Sequence, residues 1–193
     1  MSLAHDIPVI DLGDLFETQV KYFDEHRYPE CRERKKDLEK LLALVKDNKY
    51  AICDAIEKDF GTRDRDQSLL IEIFPSVHSI NYAMRHLKRW MKPERRSVSM
   101  WFQPGRAKVV YQPVGNVGII VPWNYPLYLA IGPLVNALSA GNTAMIKMSE
   151  YTPVFSSLFA SLLSQTFDPG KVQVVTGGPE VGEAFSKLPF NHL

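Results

Sequence analysis

The sequence predicts an α/β protein, in which an N-terminal helical segment is followed by part of a Rossmann-like parallel sheet with flanking helices. Up to residue 92, apolar side chains recur at the three- and four-residue spacing of amphipathic helices. From residue 114 onward, short apolar runs rich in β-branched residues alternate with helical patterns, which is typical of parallel βαβ units. The 193 residues, 45% of them hydrophobic, are enough to bury one core.

The N-terminal part is predicted to be a succession of helices. The first covers Asp11–His26, and Pro29 suits the first turn of the second. A third apolar stripe ends at Gly61, a residue type that favours the C-terminal end of a helix. The next amphipathic pattern continues to Trp90, and a bend is expected near Pro75.

Residues 93–113 are predicted to connect the helical part to the sheet, because prolines, a glycine and charged residues interrupt the helical pattern there. Within this connection, Lys108–Gln112 is a short β-rich run. A strand with an exposed edge can pair with another chain or another domain. We therefore expect three parts: the helical part over residues 1–92, this connection over residues 93–113, and the first βαβ units over residues 114–193.

The sheet part alternates strands with helices. The first strand contains the apolar run Val117–Val121, which is typical of a strand covered on both faces. Helix Leu127–Ala140 follows and stops at Gly141–Asn142, residue types suited to positive φ. The second strand is Thr143–Met148, and Thr152–Pro153 opens the next helix with threonine at the cap.

Three further features complete this alternation. Val172–Val175 is predicted to be the third strand. Gly177–Pro179 then leads into a short helix, and Phe190–Leu193 is expected to enter a fourth strand.

The loop after the first strand carries the main candidate functional residue. Pro122 and Pro126 fix φ on either side of it, so the loop is expected to be stiff. Ligands of open α/β sheets gather at the carboxyl ends of strands, where Asn124 can aim an amide N–H at a developing negative charge. The alternative is a proline-containing turn with a core tryptophan, Trp123, and a turn-forming asparagine.

Composition and charge narrow the class of protein. The chain has 23 basic and 22 acidic residues, so no global field recruits nucleic acid or an anionic membrane surface. Its two cysteines, Cys31 and Cys53, lie in charged helical segments, which favours a reducing compartment over a disulfide framework. The sequence shows neither a secretory leader pattern nor a long uninterrupted apolar span, and we expect a cytoplasmic protein.

The histidines indicate no metal site. A zinc site requires a pair of ligands at i and i+4 or a Cys–His cluster. None of the histidines takes part in such an arrangement: His5, His26, His78, His86 and His192.

Three motifs resemble those of the aldehyde dehydrogenase superfamily. Pro122-Trp123-Asn124-Tyr125-Pro126 resembles its Pro-Trp-Asn-aromatic-Pro loop, a specific match. Lys147-Met148-Ser149-Glu150 resembles its Lys-x-Ser/Ala-Glu element, although methionine stands where the family usually has proline. Gly178 and Gly182 resemble the family's Gly-x-x-x-Gly turn and helix start, and the resemblance covers nearly the whole chain.

The resemblance implies that residues 114–193 are the first βαβ units of a dinucleotide-binding domain, and it implies a role for each motif. Asn124 would help to hold the oxyanion, Lys147 and Glu150 would reach the adenosine ribose, and the backbone at Gly178 and Gly182 would approach the adenine. On local chemistry alone, the Lys–Glu pair is an ordinary surface ion pair. The remaining cofactor-binding positions are those at the end of the first strand: Ile120, Val121, Pro122 and Trp123.

A carboxylate at the ribose favours NAD as the cofactor, because the 2′-phosphate of NADP would meet like charge. Lys147 offsets part of this repulsion, so NADP stays open.

Within the superfamily, the core loop and the N-terminal helices most resemble coniferyl aldehyde dehydrogenases. This implies NAD(P)-dependent oxidation of coniferyl aldehyde, or a related aromatic or alkenyl aldehyde, to the carboxylic acid through a cysteine thiohemiacetal. The nucleophilic cysteine and the general-base glutamate of the family would lie beyond Leu193, so the chain alone is expected to be inactive. The resemblance also implies a homodimer or homotetramer of the complete protein. The alternative is a non-catalytic fragment that binds a nucleotide or serves in assembly.

Overall fold

The computed structural model describes residues 12–193, and its N-terminal part is helical. The predicted start of the first helix at Asp11 lies outside the described residues. The helices are α1 Leu12–Glu25, α2 Cys31–Asp47, α3 Lys49–Phe60, α4 Arg65–Ser68 and α5 Phe74–Trp90, with a π-helical turn, Leu69–Ile73, between the last two.

Helix boundaries were mostly predicted correctly. Gly61 ends α3 with φ of 71°, as predicted. The prediction for Pro29 was wrong, because α2 begins at Cys31 with Glu30 at its N-cap. Pro29 lies before the cap, where its carbonyl oxygen accepts a hydrogen bond from Arg34 Nε at 2.9 Å.

The pattern that runs to Trp90 is interrupted just before Pro75, which lies in the first turn of α5. A proline has no N–H to donate to a preceding carbonyl, and the turn before it adopts the wider π-helical hydrogen bonding over Leu69–Ile73. The irregularity was thus predicted at the correct place, but it is a change from α-helical to π-helical hydrogen bonding where a bend was expected.

The connection forms a short hairpin. Strand β1, Glu94–Arg96, pairs antiparallel with β2, Ala107–Val109, so that Arg95 faces Lys108. The strand predicted over Lys108–Gln112 therefore begins one residue earlier and ends sooner. Strand β1 is only three residues long, and Pro93 directly before it has no N–H to donate to the strand pairing.

The sheet consists of parallel strands in the order β3-β4-β5: β3 is Asn116–Ile120, β4 is Thr143–Lys147 and β5 is Val172–Val175. The helices α6 (Tyr128–Ala140), α7 (Pro153–Thr166) and α8 (Pro179–Ser186) alternate with the strands as predicted. The chain end lies along the free edge of β3, where Gly118 N donates to His192 O at 2.8 Å in a parallel bridge. Within the described residues this contact is a single bridge, so Phe190–Leu193 pairs with β3 where a fourth strand was predicted without forming a full strand.

Both faces of the sheet are covered. Ala144 and Ile146 of β4 belong to the main core, which contains apolar side chains of α2, α3, α5, α6 and α7. Met145, between them, points to the other face and packs with Phe16 of α1 and Phe185 of α8. Alternation along one strand thus fixes the two helical layers, since successive strand residues face opposite sides.

The end of α6 shows why a glycine follows it. Gly141 has φ of 87°, as predicted, whereas Asn142 does not have the predicted positive φ. The Asn142 side-chain oxygen instead accepts the backbone N–H groups of Val114 and Gly115, at 2.8 and 3.1 Å. A Cβ on Gly141 would lie 2.8 Å from the guanidinium of Arg34, which donates to the last carbonyls of α6.

The start of α7 is capped by another helix. Thr152 occupies the N-cap as predicted, but its side chain caps no backbone N–H. The Asp59 carboxylate of α3 accepts the N–H groups of Val154 and Phe155 instead, at 2.9 and 2.8 Å. A carboxylate at this end of a helix is stabilised by the helix dipole, so α3 and α7 are joined by a charged contact as well as by apolar packing.

Candidate active site

The carboxyl ends of the three strands meet at one edge of the sheet. Ile120 of β3 is the register partner of Lys147 of β4, and Lys147 is in turn the partner of Val175 of β5. The hydrogen bonds continue past the strands, since Val121 N donates to Lys147 O and Met148 N to Val175 O, both at 3.0 Å. The segments that follow the strands therefore start side by side, where ligands of such sheets bind.

The segment after β3, Val121–Leu127, is called the β3 loop. Val121 and Leu127 are buried, which fixes both ends of the loop in the core. Between them Asn124 is exposed, and Trp123 is 53% exposed, so the alternative of a core tryptophan was wrong. Ile120, just before the loop, is 52% exposed, and the prediction of full cover on both faces fails at this last strand residue.

An arginine holds the β3 loop from the helical part. Arg63, between α3 and α4, donates through Nη2 to the carbonyl oxygen of Asn124 at 2.9 Å. Its Nη1 forms an ion pair with Glu72 Oε1 at 3.0 Å. Its guanidinium lies 3.9 Å from the ring centroid of Phe60 and 5.3 Å from that of Tyr125, so apolar faces enclose the charge.

Glu72 of the π-helical turn is the buried member of this ion pair. Its side chain is 0% exposed, and Oε2 accepts the backbone N–H of Tyr128 at 2.8 Å. Burial raises the pKa of Glu72 from 4.5 to about 7, against the opposing effects of the Tyr128 N–H and the Arg63 charge. Neither Arg63 nor Glu72 was predicted from the sequence. A single acidic residue within the apolar run Leu69–Ile73 is nevertheless a pattern that could have indicated a buried carboxylate.

Lys147 and Glu150 follow β4 at the same edge. Lys147 is buried, and its Nζ donates to Met148 O at 2.7 Å and lies 3.8 Å from Glu150 Oε2. The view of this pair as an ordinary surface ion pair is therefore wrong for the lysine. Met148 is buried in the main core, so the departure from the family's proline is accommodated by packing.

The turn after β5 leaves open space at its glycines. Gly177 has φ of 144°, a conformation that other residues rarely adopt, and it precedes the two glycines that were predicted to approach the adenine. No heavy atom lies within 4 Å of the position that a Cβ would occupy on Gly182. On Gly178 a Cβ would meet only the carboxylate of Glu180, which lies at the end of a movable side chain.

The predicted site residues thus fall on three neighbouring segments. The structure brings together the strand-end residues Ile120 and Val121 with Lys147 through the register. Gly178 and Gly182 lie on the next segment, at the start of α8 and within it. Within residues 12–193 no group hydrogen-bonds the side-chain amide of Asn124, whereas its backbone carbonyl is held.

Neither a metal cluster nor a membrane-spanning helix occurs in the part of the chain that the structure describes. Over residues 12–193, no three His, Cys, Asp or Glu side chains lie together in a way that could hold a metal ion. In the same residues every helix is too short or too polar to cross a membrane.

A parallel sheet covered on both faces, with polar side chains at its carboxyl edge, defines an α/β protein of the class whose ligands bind at that edge. The model of the aldehyde dehydrogenase family matches residues 11–190. The chain belongs to this family, which confirms the resemblance.

Relatives and solved structures agree with this assignment. A Pseudomonas aeruginosa protein named probable coniferyl aldehyde dehydrogenase is 50% identical over 182 residues, which are 94% of this chain and 38% of that protein. Staphylococcus aureus AldH, solved in a substrate-bound state, aligns with a TM-score of 0.88 and 32% identity, covering 92% of this chain and 39% of the other. A Mycobacterium tuberculosis aldehyde dehydrogenase, solved in complex with NAD+, aligns with a TM-score of 0.79 and 26% identity, covering 92% and 37%.

These matches confirm the predicted fold class. They also show that the chain spans about two fifths of the length of the proteins it matches.

Proposed function

We propose that the complete protein carrying this chain oxidises an aldehyde to the carboxylic acid with NAD(P), and that its substrate is coniferyl aldehyde or a related aromatic or alkenyl aldehyde. The observation that carries the proposal is the β3 loop. It displays an unpaired Asn124 amide next to the strand ends where Lys147 and Glu150 lie. Family membership and the name of the Pseudomonas aeruginosa relative support the reaction and the substrate class.

The residues at the sheet edge suit a dinucleotide. Lys147 supplies a buried ammonium group and Glu150 a partly exposed carboxylate, two groups that can bind ribose hydroxyls. Gly182 leaves open space beside the backbone of α8, which a flat ring can enter. The cofactor would be held by these residues and Gly178, together with the end of β3: Ile120, Val121, Pro122 and Trp123. When bound, the nicotinamide supplies the hydride acceptor.

Asn124 acts on the substrate side of this edge. Its amide N–H would donate to the oxygen of the aldehyde as negative charge develops there. A donor already held in place stabilises this charge without reorganisation in the reaction. Arg63 holds the Asn124 carbonyl and so fixes the backbone from which this amide side chain extends.

The nucleophilic thiol is proposed to come from outside residues 1–193. Burial, followed by the neighbouring Asp54 charge, raises the pKa of the Cys53 thiol to about 11. A thiol with such a pKa carries little thiolate near neutral pH and is a poor nucleophile. Cys31, at the start of α2, packs partly buried against the main core. The general-base glutamate is likewise proposed to lie outside this chain, so residues 1–193 alone would be inactive.

The cofactor preference and the assembly state belong to the same proposal. NAD is favoured over NADP, because Glu150 would repel a 2′-phosphate and Lys147 offsets only part of this. We propose a cytoplasmic homodimer or homotetramer that binds no nucleic acid and no membrane. The division into residues 1–92, 93–113 and 114–193 is kept as part of this proposal.

A second candidate function is assembly without catalysis. The segment between β1 and β2 exposes Met100, Trp101 and Phe102, with Trp101 85% exposed. Exposed apolar patches of this kind mark surfaces that other polypeptides cover.

The test uses the complete protein with coniferyl aldehyde and NAD+. We expect NAD+ to be reduced and the carboxylic acid to form in equal amount. The reduction is measured from the absorbance of the NADH that is produced. Thermal stabilisation by NAD+ without any turnover would instead favour the non-catalytic alternative. Omitting the aldehyde gives the control for slow reduction by other components.

A further inference from the structure

We propose that Arg63 and Glu72 are positioning residues, which hold the β3 loop so that the Asn124 amide keeps its direction during the reaction. The inference rests on the proposed function and adds to it two residues that no motif of the loop contains. Neither side chain touches the reacting atoms in this view. Each acts through the backbone of the loop.

The pair contacts the backbone on both sides of Pro126, at Asn124 within the β3 loop and at Tyr128, the first residue of α6 directly after the loop. Arg63 Nη2 binds the Asn124 carbonyl oxygen at 2.9 Å, and Glu72 Oε2 binds the Tyr128 N–H at 2.8 Å. The ion pair between Arg63 and Glu72, at 3.0 Å, joins these two contacts. Two backbone groups four residues apart are thereby fixed to one rigid unit, and the peptide plane after Asn124 cannot rotate freely.

Burial makes this unit stiff. The side chains of Arg63 and Glu72 are 13% and 0% exposed, so water competes little for the ion pair between them. The Arg63 hydrogen bond to Asn124 O lies at the surface and depends on this buried pair for its geometry. The rings of Phe60 and Tyr125 lie near the guanidinium and restrict it further. Removing one partner of such a pair leaves the other buried and uncompensated, so the loop is expected to shift when either is lost.

The chain contains a matched control. Arg65 lies two positions from Arg63 and also pairs with a carboxylate, Asp54, at 2.6 Å. This pair is exposed, with side-chain exposures of 51% and 43%, and Arg65 makes no hydrogen bond to the β3 loop. Loss of Arg65 therefore removes an arginine and an ion pair without touching the loop.

The experiment compares Arg63→Met and Arg65→Met in the complete protein. We expect Arg63→Met to lower kcat on the order of 10²-fold, the effect of a small misplacement of a catalytic group. The KM for NAD+ should change much less than kcat, because most of the proposed cofactor contacts lie outside the β3 loop. Arg65→Met should leave both constants unchanged. Arg63→Lys keeps the charge and one donor direction, so its kcat should lie between those of the wild type and Arg63→Met.

A double-mutant cycle separates positioning from general damage. If Arg63 acts through Asn124, Arg63→Met should cost little further kcat in a protein that already carries Asn124→Ala. A loss that multiplies fully with that of Asn124→Ala would overturn the inference, and so would equal kcat in Arg63→Met and Arg65→Met. If Arg63→Met folds poorly, the same cycle with Arg63→Lys and Glu72→Gln decides between these results. An inactive wild type would reject the proposed function itself, whereas an active wild type with an insensitive Arg63 rejects only the positioning role.

Discussion

Two segments leave the same edge of the sheet and are held in opposite ways. The β3 loop is fixed by side chains from the helical part, since Arg63 binds the backbone of Asn124 within the loop and Glu72 binds that of Tyr128 directly after it. The segment after β5, Thr176–Gly178, is shaped by glycine, with φ of 144° at Gly177 and open space at Gly182 of the following helix. The contrast suits the two tasks, because a hydrogen-bond donor requires a fixed direction and a nucleotide requires room.

The largest effect should come from the fixed segment. Asn124→Ala removes a proposed oxyanion donor, which typically costs about 2.7–4 kcal/mol, or roughly 10²–10³ in kcat. The KM for NAD+ should change little, because Asn124 is placed on the substrate side and is not itself one of the proposed cofactor contacts. Steady-state kinetics of the complete protein with coniferyl aldehyde measure both constants. Asn81→Ala, which removes an amide from α5, is the control. A raised KM for NAD+ with unchanged kcat would place Asn124 on the cofactor side. The contrast between a fixed donor loop and an open nucleotide segment would then fail.

The next effect concerns the buried acid that holds the β3 loop. The pKa of Glu72 is raised from 4.5 to about 7 by burial, so folding favours its protonated form. The stability that this pKa difference gives the folded state is therefore fully present below pH 4.5 and is lost as the pH rises through about 7. The free energy of unfolding falls by about 3 kcal/mol over this range. The charged and titratable groups near it are Arg63 and the Cys53 thiol.

In the variant Glu72→Gln, the glutamine side chain does not titrate. The variant should therefore not lose stability as the pH rises. Between pH 5 and pH 8, the free energy of unfolding of the variant should rise relative to the wild type by up to about 3 kcal/mol. Urea denaturation at several pH values measures this difference. Parallel pH profiles for the two proteins would mean that Glu72 does not titrate in this range.

The origin of these contacts explains what the sequence could predict. Apolar runs predicted strands β3, β4 and β5, and Gly61 and Gly141 predicted the ends of two helices. These predictions succeeded because each signal lies within a few residues of the structure that it specifies. Asn124 could be found because its loop matches a family motif. The contact of Arg63 with that loop spans 61 positions, and no periodicity or local motif records such a pairing.

The caps illustrate the same limit. Thr152 was predicted at the cap of α7, and it is there, yet Asp59 makes the hydrogen bonds from 96 positions away. Local preference thus located the helix start but not the group that satisfies its N–H donors. Pro29 shows the reverse case, in which a residue suited to a first helical turn was displaced because Glu30 forms the cap.

Between the two segments, Lys147 should have an intermediate effect. Lys147→Met keeps much of the apolar stem and removes the ammonium group, which should weaken NAD+ binding by about 2 kcal/mol, the range for a hydrogen bond to a charged group. Lys171→Met is the control, because Lys171 also forms a poorly exposed ion pair, with Asp37, but precedes β5 at the opposite edge of the sheet. Equilibrium titration of the complete protein with NAD+ should show roughly thirtyfold weaker binding for the first variant only.

The smallest effect should come from filling the open segment. Gly182 and Gly132 are both helical, and at neither does a heavy atom outside the local helix lie within 4 Å of the position that a Cβ would occupy. Gly182→Leu should stabilise the helix by about 0.5–1 kcal/mol through propensity, whereas in Gly132→Leu the following Pro133 opposes this gain. Only Gly182→Leu should weaken NAD+ binding, by roughly tenfold, or about 1.4 kcal/mol, because the side chain takes the space proposed for the adenine. Thermal unfolding and NAD+ titration of the two variants separate these effects. Equal NAD+ affinity in both would mean that the space at Gly182 is not used by the cofactor, and the proposed nucleotide side of the contrast would then rest on Lys147 and Glu150 alone.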